Sequence, residues 1–342
     1  LAALVLAWLA VCTGWLAGCA TGSNAVPVGS RYEFARPQMG MEFRLVIYAP
    51  TRRDAEDAAA AVFERVEQLN NLLSDYEEES ELSRLNRTAG TGRWVPVSRE
   101  LWEVLEHGQK MAAMSGGAFD VTVGPVVQLW RRARRQRELP DPDRLQRALA
   151  AVNWRLLELD PKGRRVRLRR SGMRLDLGGV AKGYVMDEAL AVLRQRGLTR
   201  AMVQAGGDLA VGDPPLGRAA WRVRLTGWET LPEAGPSHVL LKRCALATSG
   251  DLFQFVEING VRYSHIVDPR TGVGLTNHAL VFVIASRGMT ADALSTAVSV
   301  LGPEAGLRLV DSTSGAAARV VMNVSGETRT WETRRWSRYK EL

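Results

Sequence analysis

The chain has 342 residues, 46% hydrophobic and 24% charged, an ordinary globular composition with material for one large domain or two. Its formal charge of +8 does not argue for nucleic acid. Of its 45 basic residues 40 are Arg, and the densest runs, "RRARRQR" (131–137) and "KGRRVRLRR" (162–170), lack interleaved aromatics and read as solvated surface. Three cysteines, Cys12, Cys19 and Cys244, offer neither a disulfide framework nor a Cys-based metal cluster.

In chain order, "LAALVLAWLAVCTGWLAGC" comes first, uncharged and too short and Gly-punctuated for a comfortable membrane span. It reads as a secretory h-region covering residues 1–18. Leu16-Ala17-Gly18-Cys19 resembles a bacterial lipobox, which makes Cys19 the expected lipidated residue; an ordinary signal peptide that happens to contain Cys is the alternative. Residues 19–30 then form a flexible tether, and the folded domain is expected over 31–342. β-rich segments around a Pro-Gln-Met-Gly break occupy 32–50. An amphipathic helix over 54–73 buries Val62, Phe63, Val66, Leu69 and Leu73. A short helix follows at "ELSRLNR", and another over 98–117 closes at Gly116 and Gly117. Alternation marks strands near 166–177, 201–211, 221–226 and 280–286, with helices at 182–196 and 291–299. "ARVVMNVSGETRTWE" reads as a hairpin turning at Ser325-Gly326. The fold class is α+β: mixed sheets with packed helices, in one two-lobed domain.

Four glycine-bearing turns stand out: "SGGAFDVTVGP", "LDLGGVAKGY", "QAGGDLAVG" and "ATSGDLFQF"; Asp176, Asp208 and Asp251 stand beside the glycines of the last three, and in the first Asp120 follows three residues on. None fits a P-loop or a dinucleotide fingerprint, and each alone is explained by turn geometry. "LDLGGVAKGY" says more, because it runs strand, tight turn, helix, with Lys182 at the helix start, an arrangement suited to an anion. "RYSHIVDPRTG" places His265 in a strand before a turn, either as a hydrogen-bonded structural histidine or as a proton carrier. In "ADALSTAV" Asp292 and Thr296 fall one turn apart on one helical face. Thr290 as N-cap would put Asp292 in the first turn, facing the helix dipole, and Thr296 could bond back to carbonyl 292. Alternatively the pair supplies hard oxygen donors to Mg²⁺.

"MGMEF", "LSDYEEESELSRLN", "SGGAFDVTVGP", "LDLGGVAKGYVMD", "GGDLAVG", "ATSGD", "RYSHIVDPRTG" and "ADALSTAVSVLGPEAG" together resemble the ApbE family of FAD:protein FMN transferases, from about residue 38 to 310. The resemblance implies an enzyme that splits FAD at its pyrophosphate, releases AMP and joins FMN by a phosphoester bond to a Thr or Ser hydroxyl of a target flavoprotein, with Mg²⁺ as cofactor. It implies metal ligation by Asp292, Thr296 and the carbonyl of Gly179. FAD contacts are implied for Met39, Tyr76, Ala118, Phe119, Asp120, Asp176, Lys182 and Val267, and a role in proton transfer for His265. For that chemistry Lys182 would neutralise pyrophosphate charge, and the acceptor hydroxyl needs a base, for which His265 is favoured over Asp268 or Asp176. "MGM" departs from the family's commoner Met-Gly-Thr, which puts any hydroxyl role at residue 41 in doubt. By the same resemblance the acceptor is a membrane-bound electron-transfer subunit of Nqr or Rnf type, exposed outside the cytoplasm. The enzyme would then be lipid-anchored in a bacterial cell envelope. A FAD pyrophosphatase and a flavin-binding lipoprotein without turnover are the alternatives.

Overall fold

The structure is a computed structural model that describes residues 29–225, 238–250 and 254–341. The signal, lipobox and tether expectations, Cys12 and Cys19 included, lie outside the described residues, as does Asp251. No helix among the described residues is long and apolar enough to cross a membrane.

The frame is an eight-stranded sheet with every neighbouring pair antiparallel. It begins with a hairpin of β1 (Ser30–Gln38) and β2 (Met41–Ala49), closed by the two-residue turn Met39-Gly40, both at positive φ. Pro37 is tolerated because β1 is an edge strand. The segment expected as one strand over 201–211 is a second hairpin, β6 (Ala201–Ala205) and β7 (Asp208–Val211), turning at Gly206-Gly207. β10 (Cys244–Gly250), β13 (Leu280–Ala285), β14 (Ala317–Val324) and β15 (Glu327–Glu332) complete the order β1-β2-β6-β7-β10-β13-β14-β15. The hairpin at Ser325-Gly326 forms as expected.

β13 explains the layering. All six of its residues are buried: Val281, Val283 and Ala285 face the main core, while Leu280, Phe282 and Ile284 face a second one. On the main face lie α1 (Arg52–Leu73), α3 (Arg99–Met114), α6 (Ala181–Gln195) and α7 (Gly288–Ser312). Thr51 caps α1 by accepting from the N–H of Asp54 at 3.1 Å, and the stripe Ala55, Ala59, Val62, Phe63, Val66, Leu69, Leu73 is buried at helical spacing. The second face is covered by Trp336 and the pair β8 (Trp221–Arg224) and β9 (His238–Leu241).

Smaller elements carry the loops. The expected short helix is α2 (Glu81–Asn86). A three-stranded sheet joins β3 (Val95–Pro96), β4 (Leu157–Asp160) and β5 (Arg165–Leu168). α4 (Gly124–Gln136) and α5 (Pro142–Leu149) were not legible as helices: the arginine run hid the buried positions Val126, Trp130 and Ala133. β11 (Phe255–Ile258) and β12 (Val261–Ser264) form a separate hairpin.

Three expectations need correction. The strand expected over 166–177 ends at Leu168. Beyond it Leu175 is held by a side chain instead of a ladder, donating to Asn86 Oδ1 at 2.7 Å and accepting from Asn86 Nδ2 at 3.2 Å. His265 lies just after β12, not in a strand. α7 begins at Gly288, with Asp187 of α6 accepting from the N–H groups of Gly288 (2.6 Å) and Met289 (3.2 Å). Thr290 is therefore inside the helix, and Asp292 is beyond the first turn.

Candidate active site

The main-face helices converge where α6 and α7 meet the β6–β7 turn. Lys182 stands in the first turn of α6 and donates from Nζ to Asp208 Oδ2 at 2.5 Å. Asp208 opens β7, is fully buried, and accepts from the Thr248 N–H at 2.7 Å through its other oxygen. Asp292 on α7 accepts from the Gly183 N–H at 3.0 Å through Oδ2. Burial would lower the Lys182 pKa, but the carboxylates of Asp208 and Asp292 outweigh it and hold the ammonium firmly charged. For Asp292 burial dominates and pushes its pKa up to about 7; Lys182 and the Gly183 N–H pull the other way, while Asp208 adds to the rise.

One cation between two buried carboxylates leaves the cluster short of positive charge. That bears on the two explanations of Asp292. The N–H groups at the start of α7 are already served by Asp187, so Asp292 is not needed as a cap or dipole partner. Nor is it Thr296 that bonds back to carbonyl 292; Ser295 Oγ does so at 2.8 Å. Opposite Thr296 is Gly179, where a Cβ would stand 2.9 Å from Thr296 Oγ1 and 3.2 Å from Phe119 Cε2. The carboxylate, the hydroxyl and the bare glycine backbone are oxygen donors of the hard kind a Mg²⁺ ion takes, and a net negative cluster suits it. Among the described residues no three His, Cys, Asp or Glu side chains form a metal cluster, so a magnesium ion here would draw its remaining ligands from substrate and water.

Of the other expected residues, Phe119 and Asp176 touch the Gly178–Gly179 turn. "SGGAFD" makes its turn with Gly116 and Gly117 both at positive φ, a conformation open to glycine at no steric cost. It brings Phe119 against Gly179 and buries Ala118. Asp120 is engaged by the protein itself: Oδ1 accepts from the N–H and hydroxyl of Thr122, both at 2.7 Å, and Oδ2 from the Trp154 N–H at 2.9 Å. Burial raises its pKa despite these bonds. It also lines a cleft of about 290 Å³ with Gly116, Gly117, Trp154 and Arg270. Asp176 accepts from the Gly178 N–H at 2.8 Å and from Arg131 Nη2 at 2.7 Å. Burial and nearby Asp75 raise its pKa, opposed by Arg131. Tyr76 is 72% exposed. Met39 is carried on the β1–β2 turn and packs partly buried on the main core.

His265 is set against Gln254, whose carbonyl oxygen lies 3.1 Å from Nδ1 and accepts from the His265 N–H at 3.0 Å. A carbonyl only accepts, so in this contact it is Nδ1–H that donates. Two residues on, Val267 packs with Val126 and Trp130 of α4. Sequence reasoning missed two residues of this region. Asp208 was visible in its glycine turn but lacked a sign that it would meet Lys182; Arg131 was concealed in the charged run.

In fold the chain is similar to solved flavin transferases. The flavin transferase ApbE from Vibrio cholerae superposes with a TM-score of 0.81 at 25% identity, covering 91% of this chain and 100% of that one. The apo form of the Pseudomonas stutzeri flavinyl transferase ApbE gives 0.78 at 29% identity, covering 91% and 97%. A model of the ApbE family matches residues 39–320, and the chain belongs to that family. A FAD:protein FMN transferase from Treponema pallidum (strain Nichols) is 33% identical over 332 residues, covering 90% of this chain and 91% of the relative. Another, from Haemophilus influenzae, is 30% identical over 280 residues and covers 80% of each.

Proposed function

We infer that this enzyme transfers FMN from FAD to a protein, using Mg²⁺ and a Thr or Ser hydroxyl of the acceptor. The observation that carries this reading is half-buried Lys182 set with the buried carboxylates of Asp208 and Asp292, next to the turn in which Gly179 meets Thr296. Asp292, the Thr296 hydroxyl and the Gly179 carbonyl would hold Mg²⁺, which when bound neutralises pyrophosphate oxygens as a Lewis acid. Asp208, fixed by the Thr248 N–H, aims Lys182. The ammonium then stabilises charge that moves toward the leaving AMP. His265 takes the proton of the acceptor hydroxyl as its oxygen bonds to the FMN phosphorus and the P–O bond to AMP breaks. Tyr76, Phe119, Ala118, Asp120, Val267 and Met39 would contact FAD, with Asp176 shaping the Gly178–Gly179 turn.

The acceptor reading follows from the same chemistry: an exposed hydroxyl on a flavoprotein subunit, of Nqr or Rnf type by family analogy. An anchor at a lipidated Cys19, facing the periplasm or cell exterior, agrees with the lipobox-like sequence; a mature N-terminus elsewhere, free of lipid, would contradict it. The enzyme is tested by incubation with FAD, Mg²⁺ and a candidate acceptor subunit. Mass spectrometry should show an FMN-sized adduct on the acceptor with AMP released in equal amount. FMN and AMP produced without an adduct, with several acceptors supplied, would instead identify a FAD pyrophosphatase.

A further inference from the structure

Arg131 lies in the sequence run that reads as surface, yet its side chain is only 16% exposed. Nη1 donates to Asp75 Oδ2 at 2.6 Å, and Nη2 to Asp176 Oδ2 at 2.7 Å and Asp75 Oδ1 at 3.3 Å. Its Cζ stands 4.2 Å from the ring centroid of Tyr76. The second oxygen of Asp176 holds the Gly178 N–H, and the carbonyl of Asp75 accepts from Arg174 at 3.0 Å. A single guanidinium thus ties the loop bearing Tyr76 to the turn bearing Gly179. Only arginine can do this: its planar fork serves two carboxylates while its face meets a ring, and an ammonium has neither property.

We propose that Arg131 is a positioning residue for substrate, holding the Tyr76 ring as a stacking face for a flavin and fixing that face relative to the Gly178–Gly179 turn. The inference rests on the flavin-transfer reading and adds how the two ends of one substrate are kept in register. One face of Tyr76 is taken by Arg131; with the side chain largely exposed, the opposite face is open to a ligand ring. The platform is set before substrate arrives, so less ordering is left to be done on binding.

The test uses the whole enzyme with FAD as probe and three variants: Arg131→Lys, Tyr76→Leu and the double substitution. Arg131→Lys should raise KM and Kd for FAD about tenfold or more while kcat and Tm change little. Fluorescence of bound flavin, quenched by an aromatic stack in the parent, should rise. In the Tyr76→Leu background the same substitution should add little, since the two act through one contact. Asp75→Asn, which loosens the guanidinium from the other side, should weaken FAD binding in the same direction. A lower Tm with unchanged KM and flavin fluorescence would reduce Arg131 to a structural tie and overturn the proposal. So would additive losses in the double variant. If Tyr76→Leu weakens FAD binding and Arg131→Lys does not, this inference alone fails; if Tyr76→Leu changes nothing, the flavin platform itself is wrong and the inference falls with it.

Discussion

At the scale of single residues, the site rests on how buried charges are matched. Asp292 is enclosed, and among the described residues its carboxylate accepts from the Gly183 N–H alone. Asp208 has both Lys182 and the Thr248 N–H, and is satisfied. Asp292 is the carboxylate left over, which is why burial lifts its pKa to about 7 and why a divalent cation would complete it. Asp292→Asn keeps the shape and an acceptor for Gly183 but removes the charge. The parent should gain about 2–3 kcal/mol of stability when Mg²⁺ is raised to a hundredfold excess over its Kd. The Asn variant should gain almost nothing, and its FMN transfer should fall at least 100-fold at ordinary Mg²⁺. Thermal unfolding with and without Mg²⁺, run beside the transfer assay, checks both. An Asn variant that still responds to Mg²⁺ would move the metal elsewhere.

At the scale of elements, α6 and α7 touch backbone to backbone. A Cβ at Gly183 would lie 2.1 Å from the carbonyl oxygen of Gly288, and one at Gly288 would lie 2.5 Å from that of Gly183. This approach lets the Gly183 N–H reach Asp292 and Asp187 reach the start of α7. Gly183→Ala must part the two helices, at a cost of about 2–3 kcal/mol or more, where a surface Gly→Ala in a helix would stabilise. Urea unfolding measures it, and a neutral result would mean the helices can slide apart freely. The same elements show what a sequence can reveal. α1 and α3 announce themselves by apolar period and capping, and α6 by its buried apolar positions alone. α4 does not, because Arg131 on its partly buried side looks like its solvated neighbours until Asp75 and Asp176 arrive from elsewhere in the chain. The stretch before Asp176 alternates like a strand but is pinned by the Asn86 amide, a contact 89 residues away that periodicity cannot foresee. Chemistry-bearing residues near helix starts and glycine turns were legible; the partners that set their charge were not.

At the scale of the whole molecule, the sheet separates a large helical core, where the site lies, from a smaller one built around Trp336. The helical side carries a weakness toward acid. His107 on α3 is mostly buried, and among the described residues its Nε2 has no hydrogen-bond partner. Burial first, then Arg287 just before α7 and Lys110 on its own helix, lower its pKa to about 4. Above pH ~6.5, the value for a free imidazole, the ring is neutral in both folded and unfolded chains and adds no pH dependence. Between about 6.5 and 4 the unfolded chain binds the proton and the folded chain resists it. Stability therefore falls as pH drops through that window, by up to about 3 kcal/mol from this group, and levels off below it. His107→Leu deletes the proton site and an unpartnered polar atom together. The variant should unfold much like the parent at pH 7.5 yet outlast it at pH 4.5, the gap in unfolding free energy opening progressively below pH 6.5. Other carboxylates titrate in both proteins and cancel in the difference, so parallel stability curves for parent and variant from pH 7.5 to 4.5 would show that His107 is protonated at no cost in the folded core.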